Sequence, residues 1–230
     1  MSAQRGVLFD LDGTLVDTAP DLVACVQELL REAGRPEAPR AALQSTVSHG
    51  ARIMVSHAFS VPPSDPHAVS LEQELVRRYQ ARIADESRLF PGMPELLDTL
   101  EARGIPWGIV TNKPTHLTEP LLERLALHAR AGAVVCGDTL SRAKPYPDPI
   151  RHAAASLGCA PEACWSLGDA RRDIDAAVAA GARGLVALFG YLHAGDRPAQ
   201  WGAHGLIRQP AELLGWLDQE PGTRLDASTV

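Results

Sequence analysis

The sequence predicts an α/β fold in which a doubly wound parallel sheet carries an inserted α-helical cap. Five short apolar runs are each bounded by glycine, proline or charged residues, and helical patterns separate the first four. One long interval has helical periodicity but no convincing strand. The runs are continuous rather than alternating, which is typical of strands buried on both faces of a sheet. They cover residues 6–9, 106–110, 133–136, 164–167 and 184–188.

The segments between these runs have apolar residues at helical spacing. Leu96, Leu97 and Leu100 fall on one helical face, and Leu117 and Leu121 repeat the pattern further along the chain. Strands that alternate with helices predict a parallel, doubly wound sheet of the Rossmann-like type.

The long interval, residues 17–90, is predicted to form the helical cap. Val23, Val26 and Leu30 repeat at helical spacing, and prolines near residues 36–39 and 62–66 divide the interval into several helices. The predicted domains are a discontinuous core of residues 1–16 and 91–230 and a cap of residues 17–90. The polar segment after Glu220 is predicted to lack regular structure.

The composition argues against several classes of function. The 230-residue chain is 45% hydrophobic and has a net charge of -6, with no basic patch for nucleic acid. No apolar run approaches the roughly 20 residues that cross a bilayer, and residues 1–6 lack the apolar segment of a signal peptide. We therefore expect a cytoplasmic protein that binds neither nucleic acid nor membranes. The four cysteines lack metal-site spacing and are expected to be reduced and buried.

Two carboxylates follow the first predicted strand. Asp10 and Asp12 stand in the run Asp10-Leu11-Asp12-Gly13-Thr14, at the carboxyl end of a strand, where open α/β sheets bind their ligands. This run resembles the first motif, D-x-D-G-T, of the haloacid dehalogenase-like superfamily. Three further elements of that pattern follow in order, so the resemblance covers nearly the whole chain. They are Thr111-Asn112, Lys144-Pro145 and the run from Gly168-Asp169 to Asp173.

Clustered carboxylates need a cation before a phosphate dianion can approach them. The resemblance implies Mg²⁺, held by the Asp10 carboxylate, the Asp12 backbone carbonyl and the Asp169 carboxylate. Asp173 is expected to orient these ligands rather than to bind the metal. The chain departs from the family pattern at Ala170, where serine is common.

The same resemblance implies a phosphatase acting on a small phosphorylated metabolite. Asp10 is the expected nucleophile, and Asp12 is the expected acid and then base. Thr111 and Lys144 are expected to hold the phosphoryl oxygens, and Asn112 to contact substrate. Dehalogenation is disfavoured because dehalogenases of this superfamily generally lack the second carboxylate. A non-catalytic binding protein is expected to have lost Asp10 or Asp12.

Substrate choice is expected to depend on the cap segment of residues 47–52. We expect His49, Gly50 and Arg52 to contact substrate, with Arg52 donating to a carboxylate. A glycine at this position also suits a simple helix N-cap, and that interpretation stays open.

The finer resemblance leaves several alternatives open. The layout resembles phosphoglycolate phosphatases, and stretches such as Gly50-Ala51-Arg52 and residues 107–114 look similar to bacterial N-acetylmuramic acid 6-phosphate phosphatases. Both substrates join a phosphate to a carboxylate. A phosphomutase of the β-phosphoglucomutase type also remains possible, and the chain is expected to be a monomer or a homodimer.

Overall fold

A six-stranded parallel sheet is the centre of the computed structural model, which describes residues 4–218. In chain order the strands are β1 Gly6–Phe9, β2 Val16–Asp17, β3 Arg88–Leu89, β4 Trp107–Val110, β5 Ala133–Val135, β6 Cys164–Gly168, β7 Arg183–Ala187 and β8 Gly205–Ile207. The sheet has the order β5-β4-β1-β6-β7-β8. The chain therefore builds outward in both directions from β1, and this confirms the predicted doubly wound fold.

Alternate residues of β1 point into two different apolar clusters. Val7 and Phe9 pack in the larger cluster, whereas Leu8 packs with Ile150 and Ala153 in a second one. Both faces of the sheet are thus covered, as the continuous apolar runs predicted. The helices are α1 Ala19–Glu32, α2 Arg40–Gln44, α3 Ala51–Phe59, α4 Pro66–Ala81, α5 Met93–Ala102, α6 Thr115–Arg124, α7 Asp148–Ser156, α8 Arg171–Ala180 and α9 Glu212–Leu217.

Helices α1 to α4 pack against one another as one helical group. Leu30 of α1, Val55 of α3 and Leu75 of α4 are fully or almost fully buried in the same cluster as Phe9. The chain enters and leaves this group through β2 and β3, which pair antiparallel with Val16 opposite Leu89. We propose this group as the cap predicted for residues 17–90.

A carboxylate ties the two ends of the cap together. Asp21 of α1 is fully buried, and it accepts hydrogen bonds from the backbone N–H groups of Glu86 and Ser87, each at 2.9 Å. The Ser87 hydroxyl donates to the same carboxylate at 2.5 Å. These bonds fix the exit of the cap against its first helix.

The structure differs from the sequence prediction at several short elements. The expectation that residues 17–90 contain no strand is wrong, because β2 and β3 pair there; two-residue strands are too short to show a period. Strand β8 was also not predicted, since its three residues give no pattern of their own. The predicted polar tail after Glu220 lies outside the described residues.

The cysteines lie in the interior, as their spacing predicted. All four cysteines are buried and free. Among residues 4–218, no helix has both the length and the hydrophobicity that a bilayer-spanning segment requires.

Candidate active site

The polar residues that follow β1, β4 and β6 converge at one edge of the sheet. Asp10, Thr111 and Asp169 each come directly after one of these adjacent strands, and all three are buried. Lys144 and Asp173 reach the same place from the loop before α7 and from the first turn of α8. The structure thus brings together the core residues that the motifs predicted.

Lys144 bridges two carboxylates beneath this edge. Its Nζ atom lies 2.8 Å from Oδ1 of Asp10 and 2.6 Å from Oδ1 of Asp173, and it donates to the Val110 carbonyl at 2.6 Å. Burial lowers the pKa of Lys144, but Asp10 and Asp173 outweigh it and raise that pKa. Burial, with a smaller effect of Asp173, raises the pKa of Asp10 to about 6 despite the opposing effect of Lys144.

Asp169 has one occupied and one unoccupied carboxylate oxygen. Its Oδ2 atom accepts from the Ser48 hydroxyl at 2.7 Å and from the Tyr191 backbone N–H at 2.8 Å. Its Oδ1 atom is buried without a hydrogen-bond partner in the described part of the chain. Burial, then Asp10 and Asp173, raises the pKa of Asp169 to about 7.

The donor set fits a hard cation. Oδ2 of Asp10 and Oδ1 of Asp169 are both buried without a partner within residues 4–218, which is costly unless a ligand satisfies them. Carboxylate oxygens of Asp10, Asp169 and Asp173 lie within 4.8 Å of one another. Asp173 is already engaged, since its Oδ2 atom accepts from the Ala170 N–H at 2.9 Å. The alanine at position 170 therefore keeps a backbone contact to Asp173.

Gly13 allows the first motif to approach the carboxylate of Asp169. Its φ angle is 89°, and a Cβ atom at this position would lie 2.2 Å from Oδ2 of Asp169. Any side chain would therefore displace the Asp169 carboxylate. The glycine of the D-x-D-G-T motif is required by this contact as well as by its backbone angle.

Asp12 lies beside Asp10 and is held by two donors. The Thr18 hydroxyl donates to Oδ1 of Asp12 at 2.6 Å, and the Lys113 ammonium donates to the same atom at 2.9 Å. Lys113 also lies 4.5 Å from the centre of the Tyr79 ring, on helix α4 of the cap. Both donors reach the same oxygen of Asp12, and Asp12 helps to line a cavity.

Asn112 supports the loop that carries Lys144. Its side-chain amide donates to the Lys144 carbonyl at 2.9 Å and accepts from the Lys144 N–H at 3.0 Å. The side chain predicted to contact substrate therefore has both polar atoms occupied. The Thr111 hydroxyl accepts from the Lys113 N–H at 3.0 Å, which fixes the turn after β4.

A cavity of about 380 Å³ opens above Asp10 and Asp12, between the core and the cap. His49 and Gly50 border it, and Gly50 has a φ angle of 91° at the start of α3. Arg52 is not part of its wall. The guanidinium of Arg52 is paired with Glu72, which does line the cavity. The role predicted for Arg52 stays a prediction.

Several residues at this site were not selected from the sequence. Lys113 and Arg172 both line the cavity, and Ser48 donates to Asp169. Lys113 follows Thr111-Asn112 and Arg172 lies within the run from Gly168 to Asp173, but a cation at such a position gives no sign of what it contacts. The chain has two lysines, Lys113 and Lys144, and both lie in this site.

Comparison with known proteins shows the family to which this chain belongs. A family model described as haloacid dehalogenase-like hydrolase matches residues 7–187, a segment that contains all four motifs. The chain belongs to the haloacid dehalogenase-like hydrolase family. The fold and the family predicted from the motifs are therefore confirmed.

Relatives of this hydrolase are similar over almost their whole length. It is 41% identical over 215 residues to the N-acetylmuramic acid 6-phosphate phosphatase of Pseudomonas aeruginosa, which covers 94% of this chain and 95% of the relative. It is 42% identical over 213 residues to a phosphoglycolate phosphatase of Xanthomonas campestris, with 93% and 96% covered. The prediction of a phosphatase is confirmed.

A solved structure supports the same assignment at the level of the fold. It is described as a predicted phosphoglycolate phosphatase from Haemophilus somnus, and it superposes with a TM-score of 0.81 at 26% identity. The similarity covers 94% of this chain and 99% of that chain.

Proposed function

We propose that this hydrolase is a Mg²⁺-dependent phosphatase that cleaves a small, carboxylate-bearing phosphate monoester through an aspartyl phosphate on Asp10. The observation that carries the proposal is the environment of Asp10. One oxygen of this carboxylate accepts from Lys144, the other is buried without a partner within residues 4–218, and Asp12 lines the same cavity. A nucleophile and a candidate proton donor thus border one space.

Asp10, Asp169 and the backbone carbonyl of Asp12 would hold Mg²⁺, with Asp173 and Lys144 orienting them. The bound cation would offset the charge of the carboxylates and of the phosphoryl group. The two buried oxygens without partners support this assignment. Lys144 offsets part of the same negative charge in the protein itself.

In the first step, the Asp10 carboxylate attacks phosphorus as the bond from phosphorus to the leaving oxygen breaks. Asp12, in its protonated form, gives its proton to that oxygen, and the free alcohol leaves. The contacts from Thr18 and Lys113 to one oxygen of Asp12 leave the other for this transfer.

In the second step, Asp12 takes a proton from a water molecule as the water oxygen attacks phosphorus. The bond between phosphorus and Asp10 breaks, which releases inorganic phosphate and restores the Asp10 carboxylate. One carboxyl group serves as acid and then as base, because each step leaves it in the protonation state that the next step needs.

The phosphoryl oxygens need donors where their charge develops. Lys144 and the Thr111 hydroxyl are proposed for this role, together with the backbone N–H of Asn112. That N–H makes no hydrogen bond within the described residues. The Asn112 side chain contributes by holding the Lys144 loop in place.

The leaving group is proposed to occupy the cavity bordered by His49 and Gly50. Its volume of about 380 Å³ lies within the range of roughly 300–1,000 Å³ typical of small-molecule sites. The relatives act, by their names, on N-acetylmuramic acid 6-phosphate or phosphoglycolate. Both compounds carry a carboxylate, and we propose this shared feature for the present substrate. Arg52 contacts it only if Arg52 leaves Glu72.

Phosphate release from these two compounds and from an aryl phosphate, each with Mg²⁺ or EDTA, tests the proposed function. We expect release from all three with Mg²⁺, fastest from a carboxylate-bearing ester, and none in EDTA. Full activity in EDTA contradicts the metal assignment. Isomerisation of a sugar phosphate without phosphate release indicates a phosphomutase instead.

A further inference from the structure

The basic side chains in the cavity wall and beside it differ in whether they already have an acidic partner. Lys113 pairs with Asp12, Lys144 pairs with Asp10 and Asp173, and Arg52 pairs with Glu72. Each of these charges is therefore largely compensated within the protein.

Arg172 differs from these three side chains. It lines the main cavity, and it also lines a second cavity of about 250 Å³ that adjoins Asp169. Within the described residues it forms no ion pair closer than 4 Å, and its Nε atom is buried without a hydrogen-bond partner. A buried guanidinium donor without an acceptor is costly unless a ligand supplies one.

Arg172 keeps its positive charge at this edge of the cavity. Burial lowers its pKa, but Asp173, Asp10 and Asp169 outweigh burial and raise it, so Arg172 stays charged. Its neighbour His49 has a lowered pKa, first because of burial and then because of Arg172. His49 therefore does not supply a second positive charge at this edge of the cavity near neutral pH.

We propose that Arg172 binds the carboxylate of the substrate's leaving group and thereby selects phosphate esters that carry a second anionic group. The inference rests on the proposed function of the same cavity. A guanidinium matches a carboxylate with two parallel N–H donors, which suits this role. Glu72 lines the cavity on the cap side and holds the guanidinium of Arg52, whereas Arg172 on α8 presents its own guanidinium to the same cavity.

The test compares Arg172→Gln with Arg171→Gln. Arg171 is the preceding residue on the same helix, but its side chain is 71% exposed and pairs with Asp175. Both variants lose one positive charge, but Arg171 lines only the second cavity, so only Arg172→Gln removes a guanidinium from the main cavity. Arg52→Gln serves as a third variant because Arg52 is the cation that the sequence predicted for the same contact.

Matched substrates separate carboxylate binding from a general electrostatic effect. N-acetylmuramic acid 6-phosphate is compared with N-acetylglucosamine 6-phosphate, which lacks the carboxylate, and phosphoglycolate is compared with ethyl phosphate. We expect Arg172→Gln to lower kcat/KM about 10- to 100-fold for the carboxylate-bearing member of a pair and less than about threefold for the other. Arg171→Gln and Arg52→Gln should leave the ratio within each pair unchanged.

Equal losses for both members of each pair overturn the proposal, because Arg172 then acts on the phosphoryl site or on the carboxylate cluster. Wild-type kcat/KM for both members of each pair in Arg172→Gln also overturns it. If instead Arg52→Gln selectively lowers kcat/KM for the carboxylate-bearing member, the contact belongs to Arg52. If the wild type releases no phosphate from any ester, the proposed function fails. Arg172 is then tested by calorimetric binding of the same pairs to Asp10→Asn with and without Arg172→Gln, where an absent contrast overturns the proposal.

Discussion

The ammonium group of Lys113 donates to Oδ1 of Asp12 across 2.9 Å, and both side chains are largely buried. The same ammonium lies over the ring of Tyr79, so one side chain joins the candidate acid and base of the core to the cap. Burial lowers the pKa of Lys113, but Asp12 and Tyr79 outweigh it and raise that pKa. Lys113 is therefore a cation that positions Asp12.

Lys113→Met should lower kcat for an aryl phosphate about 10- to 100-fold, because it leaves the Asp12 carboxylate without its charged partner and held by the Thr18 hydroxyl alone. Methionine keeps much of the packing against Tyr79. Lys113→Arg should recover part of the activity, and thermal melting should show that both variants fold. If Lys113→Met keeps the wild-type kcat, Lys113 has no positioning role.

Magnesium binding should tighten as the pH rises from about 5 to about 8. The pKa values of Asp10 and Asp169 are raised to about 6 and about 7, so protons compete with the cation in this range. For the metal-free protein, the stability of the fold depends on pH with the opposite sign. Because these folded-state pKa values exceed the unfolded ones, the stability they contribute is present at low pH and is lost as the pH rises through 6 to 7.

Thermal unfolding with and without Mg²⁺ at the two ends of this pH range measures both effects. We expect Mg²⁺ to raise the melting temperature more at the higher pH, and Asp169→Asn to remove most of that rise. An equal rise at both pH values would mean that Asp10 and Asp169 do not exchange protons for the metal.

Gly13→Ala should destabilise the protein more than Gly34→Ala. Both glycines have positive φ, which costs alanine about 1–2 kcal/mol. A Cβ atom at Gly34 meets nothing within 4 Å, whereas one at Gly13 would lie 2.2 Å from the Asp169 carboxylate. Urea unfolding should therefore show a larger loss for Gly13→Ala, together with a smaller gain on adding Mg²⁺. Equal losses would mean that only the backbone angle matters at Gly13.

The sequence predicted those parts of the site that depend on strand ends. Asp10, Thr111 and Asp169 each follow a continuous apolar strand, and parallel strands bring their carboxyl ends to one edge. Lys113 and Arg172 were missed because a cation in a loop motif gives no sign of its partner. Arg52 shows the same limit, since its pairing with Glu72 spans two cap helices that no local pattern relates. Strands β2, β3 and β8 are set by tertiary pairing rather than by periodicity.

Phosphorylation of Asp12→Asn by an aryl phosphate tests the central claim most directly. An aryl leaving group departs without a proton donor, whereas the second step still needs Asp12 as base. After incubation with Mg²⁺ and acid quenching, mass spectrometry should find one phosphoryl group on Asp10, and none in Asp10→Asn or Asp10→Asn/Asp12→Asn. Phosphate on another residue, or turnover by Asp10→Asn comparable to the wild type, would contradict Asp10 as the nucleophile.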